Sequence, residues 1–218
     1  MRRINIALLV LAFAVLGCKL PAALSGAGSG STGSSKGTAT GGSDPREDVV
    51  QASKKFIALP SFTANMEGVG QTEIKSQVAY AAPDKYHVKY LGGTGAGMEI
   101  IFIGSQMYMK TGDKWSKMPS AQGTSIPTLR DSFTEEGLKS LTDVKYEGTD
   151  SVNGEPAALY SYKNVTPAGN YPFTSKIWIS ENKGLPMKIY VEYSNGMLKN
   201  MTVNYDVDSP VTIDAPIK

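Results

Sequence analysis

The sequence predicts an α+β domain that is mainly β: a curved antiparallel sheet of roughly ten to eleven strands with short helices covering its concave face. Three observations lead there. Period-two alternation recurs from Phe62 to Tyr205, and nearly every run is closed by Gly, Pro or Asn. One amphipathic helix precedes the first strand, and a second helical stretch interrupts the strands near Thr134. The best-patterned stretch is a double hairpin, Thr174–Ser180, Leu185–Tyr193 and Met197–Tyr205. In its middle strand Leu185, Met187, Ile189, Val191 and Tyr193 alternate against Lys188 and Glu192, and Asn195-Gly196 is the dipeptide of a tight primed turn. A sheet with one apolar face follows, and that face needs a cover.

The chain begins with a processing segment. Arg2 and Arg3 form a basic start and Ile4–Leu16 an apolar run too short to span a membrane, the pattern of a secretory leader. Val15-Leu16-Gly17-Cys18 resembles a bacterial lipobox, in which the cysteine is acylated and becomes the mature N-terminus. The alternative is an ordinary leader with an incidental cysteine. Against it, Cys18 is the single cysteine, lies at the end of the apolar run and has no disulfide partner. From Lys19 to Ser43 the sequence is almost entirely Gly, Ser, Thr and Ala, with a coil reach of roughly 25–30 Å. The expected organisation is a leader over 1–17, lipidated Cys18 and tether over 18–43, and a domain over 44–218. Two acyl chains on Cys18 would hold the protein stably at a membrane, where one would be marginal.

Charge excludes one class of partner. The chain has 22 Lys and Arg against 20 Asp and Glu, and loss of Arg2 and Arg3 with the leader leaves 20 of each. A neutral mature chain carries no basic field for nucleic acid.

Asp44-Pro45-Arg46-Glu47 opens the first helix, with Asp44 as cap, Pro45 at the first helical position and Glu47 at capping-box spacing. Val49, Val50, Ala52, Phe56 and Ile57 form one apolar stripe, and Pro60 ends the helix. Strands are then expected near 62–69, 74–82, 85–91, 98–104 and 106–110. The fourth, Met98–Ile103, is apolar almost throughout and should be covered on both faces. The stretch from Trp115 to Ile126 reads as irregular, with short helices over 128–133 and from a Thr134 cap to Leu141. Strands resume at 143–150 and 156–163 around a Val152-Asn153-Gly154-Glu155 turn, and the C-terminal segment should tuck Val211 and Ile213 under the sheet.

No catalytic, metal-binding or cofactor-binding constellation emerges. His87 is the single histidine and alternates with Lys85 and Lys89 on the outward face. Gly92–Gly97 is followed by a strand rather than the helix that a phosphate-binding loop requires. Asp206 and Asp208 sit in no calcium-loop pattern. The sequence therefore argues for a binding protein rather than an enzyme. A local density of flexible methionine, Met98, Met107, Met109 and Met118, suits an adaptable apolar pocket.

Taken together, the lipobox, the Gly/Ser tether, the amphipathic helix, the long meander, Lys176-Ile-Trp-Ile-Ser180, Gly184-Leu-Pro-Met-Lys-Ile189 and the closing Pro210–Pro216 resemble the LolA/LolB lipoprotein-carrier superfamily, particularly lipoproteins of LppX/LprG type. The resemblance spans Asp44 to the C-terminus. It implies a half-open β-barrel whose mouth is plugged by helices, with a hydrophobic cavity for a lipid or an acyl chain such as palmitate. It further implies a monomer in the bacterial cell envelope, on the extracytoplasmic side, with a lipoprotein or transporter as partner. LolA latches its helical lid with a strand arginine, whereas Arg46 and Arg130, the arginines left after the leader, fall in expected helices. On this reading the lining residues are Met66, Val78, Val88, Ile100, Phe102, Met107, Met109, Ile177, Ile179, Met187, Ile189, Met201 and Val203, with Phe56 and Leu138 from the covering helices. The alternative is a sensor or scaffold that uses the same fold to bind a protein partner without lipid cargo.

Overall fold

The computed structural model describes residues 44–119, 130, 133–165 and 172–217. The leader, Cys18 and the tether lie outside the described residues, as does most of the helix expected over 128–133. Helix α1 (Pro45–Ile57) starts as its sequence dictates: Asp44 Oδ1 accepts from the Arg46 amide at 3.0 Å, and Glu47 accepts from Gln51 one turn on. Its buried stripe is Val49, Val50, Ala52, Ser53 and Phe56.

Eleven strands follow: β1 (Ser61–Gly70), β2 (Ile74–Ala81), β3 (Lys85–Gly93), β4 (Glu99–Ile103), β5 (Gln106–Thr111) and β6 (Lys114–Met118), then β7 (Thr142–Val152), β8 (Glu155–Val165), β9 (Pro172–Ser180), β10 (Pro186–Tyr193) and β11 (Leu198–Asp206). All their pairings are antiparallel, in the order β6-β5-β4-β3-β2-β1-β11-β10-β9-β8-β7. Two meanders are thus joined where the first strand meets the last. Helix α2 (Glu135–Lys139), capped by the Thr134 hydroxyl, stands between β6 and β7, the two edges of the sheet. One apolar cluster takes residues from both helices and from strands on either side of the β1/β11 seam, including Tyr86 and Val88 of β3 and Tyr160 of β8. The sheet therefore curls round α1 without closing, as a half-open barrel.

Three local expectations are corrected. Lys114–Met118 is a strand, since Met107 and Met109 of β5 give it a partner at Met118 and Ser116. The primed two-residue turn lies at Asn153-Gly154, with φ of 53° and 82° and Val152 paired to Glu155. Between β10 and β11 four residues intervene, 194–197, and Gly196 is the position there with positive φ. Finally, a register shift between Pro186 and Lys188 turns Met187 out of phase with Ile189 and Val191. Met187 consequently packs on the convex face, beside the Val152, Ala157 and Trp178 cluster.

The convex face carries two small apolar clusters. Ile101, Tyr108 and Ile213 form the other one, so the C-terminal segment covers β4 from outside while Ile100 and Phe102 point inward. Lys85 Nζ fixes that segment by donating to the Ile213 carbonyl at 2.9 Å.

Candidate functional site on the concave face

The concave face divides into a closed half and a half-buried one. Phe56 drops from α1 into the closed half. Its ring lies 4.8 Å from Phe62, 4.7 Å from Phe133 and 4.9 Å from Tyr205, and Phe62 continues to Tyr80 at 5.2 Å and Tyr80 to Tyr86 at 5.0 Å. Phe56 and Phe62 are both fully buried. Such tilted and edge-on contacts are the favoured geometry for aromatic rings, and they leave this half interlocked.

Polar groups tie the cover to the sheet. Arg130 donates to the Ile57 carbonyl at the end of α1 and to the Tyr80 hydroxyl, with its guanidinium 4.3 Å from the Tyr80 ring centre. Arg46, at the other end of α1, donates to the Leu138 carbonyl of α2 at 3.1 Å. The Tyr160 hydroxyl donates to Asp48 Oδ2 at 2.9 Å; burial first, and that carboxylate second, push the phenol far above its ordinary value. Burial pushes the Tyr162 phenol up to about 12 and Tyr205 higher still. The interior beneath α1 is thus strongly desolvated.

Of the residues expected to line a pocket, Phe56, Leu138, Val78, Val88, Ile177, Ile179, Ile189 and Val203 all belong to this buried core. Met66, Met201 and Phe102 are half-buried at its margin. Ile100, Met107 and Met109 share the concave face by register, since Val88 pairs Ile100, Ile100 pairs Met109 and Phe102 pairs Met107. They too are half-buried, and Met118 extends their row onto β6. The fold brings these residues onto one surface; Met187 stands apart on the other face. The sequence reading missed Phe62, Tyr80, Phe133 and Tyr205, the rings that fill the closed half. The alternation of Phe62 with Ala64 in β1 was the available signal for the first.

Two hollows occur elsewhere. One of about 200 Å³ lies at the Ser180 end of the sheet, where Lys183 bridges Glu155 at 3.5 Å and Asp208 at 2.6 Å. Its charged wall does not suit hydrocarbon. The other, about 390 Å³, opens beside Gln106, Lys117 and Met118. On the convex face His87 Nε2 lies 3.0 Å from Glu99, which also takes Lys110 at 3.0 Å. Burial lowers the histidine and the Lys110 bond lowers the carboxyl, the behaviour of a strand-surface charge network. Among the described residues no group of three or more His, Cys, Asp or Glu is placed to hold a metal ion, and no helix is long and apolar enough to cross a membrane.

Solved structures share this architecture. The fold is similar to that of lipoprotein LppX from Mycobacterium tuberculosis, with 14% identity, a TM-score of 0.55, and coverage of 78% of this chain and 98% of LppX. It is similar to LprF from Mycobacterium bovis, with 14% identity, a TM-score of 0.60, and coverage of 80% and 97%. MucB also aligns, at 15% identity and a TM-score of 0.53, over 78% of this chain and 62% of its own length. The chain therefore shares the fold of LppX and LprF. No family model and no curated protein matches its sequence.

Proposed function

We propose that this is a cell-envelope lipoprotein, anchored through acylated Cys18, whose half-barrel accommodates an acyl chain for carriage or transfer. The observation that supports the reading best is the concave row of Ile100, Phe102, Met107, Met109 and Met118 on β4 to β6, with Met66 and Met201 half-buried separately at the β1/β11 seam. It is apolar, built largely of flexible thioethers, and only half covered. A guest chain laid there gains about 0.8 kcal/mol per methylene buried, so ten methylenes give on the order of 8 kcal/mol before ordering costs. The closed half has a different part. Its interlocked rings hold α1 in place, and the guest lies beside that core rather than within it.

The same interlocking favours a second reading, in which the half-buried row receives an apolar segment of a protein partner. Native mass spectrometry of the chain purified without added detergent separates the two: carriage predicts a co-purifying acyl species, docking a lipid-free protein. Ile100→Trp and Met109→Trp fill the row and should lower acyl loading several-fold. Met187→Trp, on the convex face, should leave loading unchanged. Equal loading in all three variants would remove the row from the site.

A further inference from the structure

Two arginines fall among the described residues, and their surroundings differ. Arg46 is exposed, in the first turn of α1 beside the acidic Glu47 and Asp48. Arg130 is half-buried, at the end of α1 that carries Ile57. Its Nη1 and Nη2 donate to neutral oxygens, the Tyr80 hydroxyl and the Ile57 carbonyl, while its Nε is buried with no hydrogen-bond partner. Among the described residues no carboxylate lies within ion-pair distance of it. The face of the Tyr80 ring offsets part of the charge. A guanidinium drawn out of water and met by neutral acceptors still keeps an unbalanced charge and an idle donor.

The sheet leads from that charge to the methionine row. Tyr80 pairs Tyr86, Tyr86 pairs Phe102, Phe102 pairs Met107 and Met107 pairs Met118, so these side chains form one file across β2 to β6 on the concave face. From Tyr80 to Met118 the file runs about 19 Å along the sheet, the sum of its strand spacings. Its inner members, Tyr80 and Tyr86, are buried, and its outer members, Phe102, Met107 and Met118, are half-buried. The guanidinium, 4.3 Å from the Tyr80 ring centre, stands at the inner end, where the packed rings give way to the half-covered row. A cation at one end of an apolar strip is the layout that orients a ligand with a charged head and a hydrocarbon tail.

We infer that Arg130 binds the head of the guest: its guanidinium takes an anionic group, a carboxylate or a phosphate, while the hydrocarbon lies outward along Phe102, Met107 and Met118. This rests on the acyl-binding reading above and adds a requirement to it, that the guest carries a negative charge. Charge-assisted bonds from a partly desolvated guanidinium are stronger than those to neutral oxygens, so an equal chain with an uncharged head forgoes them.

The test uses the full chain carrying C18S, so that no acyl anchor competes, and displacement of the neutral apolar dye N-phenyl-1-naphthylamine. The competitors are palmitic acid, hexadecyl phosphate and hexadecanol, which keeps the chain and lacks the charge. The acid or the phosphate should bind about ten- to a hundredfold more tightly than the alcohol, the worth of one charge-assisted hydrogen bond. Whichever of the two is preferred identifies the head. Arg130→Met removes the charge and should erase the preference while leaving hexadecanol binding unchanged; Arg130→Lys, which keeps a charge, should retain part of it. Equal binding of acid, phosphate and alcohol by the protein with Arg130 intact overturns the inference and leaves the carrier reading standing, whether or not Arg130→Met folds. So does a preference that survives in Arg130→Met, or a loss that falls equally on all competitors there, the mark of a residue that merely holds α1. If no competitor displaces the dye from the protein with Arg130 intact, both readings fall.

Discussion

Replacing Phe56 by alanine tests whether the space beneath α1 is filled. The ring is fully buried and touches Phe62, Phe133 and Tyr205 at centroid distances of 4.7 to 4.9 Å. Removing it forfeits the burial of the ring and three aromatic contacts, and leaves a void that rings held on separate elements cannot collapse to fill. The expected cost is about 3–5 kcal/mol. For a domain of this size that corresponds to a fall in melting temperature of roughly 6–20 °C. Urea unfolding followed by tryptophan fluorescence measures the first figure, and calorimetry the second. A cost below about 1 kcal/mol would show that Phe56 faces an already hollow interior. That result would refute the interlocked closed half and return the lining role to the buried residues around it.

Arg130→Lys keeps the charge but loses the planar fork that reaches the Ile57 carbonyl, the Tyr80 hydroxyl and the Tyr80 ring together; a loss of about 1–2 kcal/mol is expected in denaturant unfolding. Gly154→Ala places a side chain at φ 82° in the primed turn and should cost about 1 kcal/mol, whereas Asn195→Ala in the four-residue connection should change stability by less than about 0.5 kcal/mol. Stability should also fall at alkaline pH. The Tyr162 phenol titrates near 10 when unfolded and at about 12 when folded, so its contribution is complete below pH 10 and is lost as pH rises from 10 to 12. Tyr160 and Tyr205, raised in the same direction, carry the decline beyond that. A flat unfolding midpoint between pH 10 and 12 would contradict the burial assigned to Tyr162.

Much of the architecture could be read from alternation alone, because period two decides which side of a sheet a residue takes. Asp44-Pro45 located α1, and the runs around Ile74, Tyr86 and Ile189 located their strands. What failed were features that alternation does not encode. Lys114–Met118 is short, lies between Gly112 and Pro119, and gains its identity from β5. Met187 obeyed the pattern on paper, but the shift at Pro186 broke the phase. The central question, how much of the concave space the protein's own rings occupy, depends on residues brought together from α1, β1, β2, β11 and Phe133.

The pairing of β1 with β11 has a consequence for how the molecule is made. The middle of the sheet is a seam between residues 61–70 and 198–206, so the earliest strand waits for the latest before the barrel wall is continuous. Contacts of such long range form slowly, since the intervening loop must be ordered first. A polypeptide built this way stays open while it is being synthesised, and closes once its final strand is free to join the first.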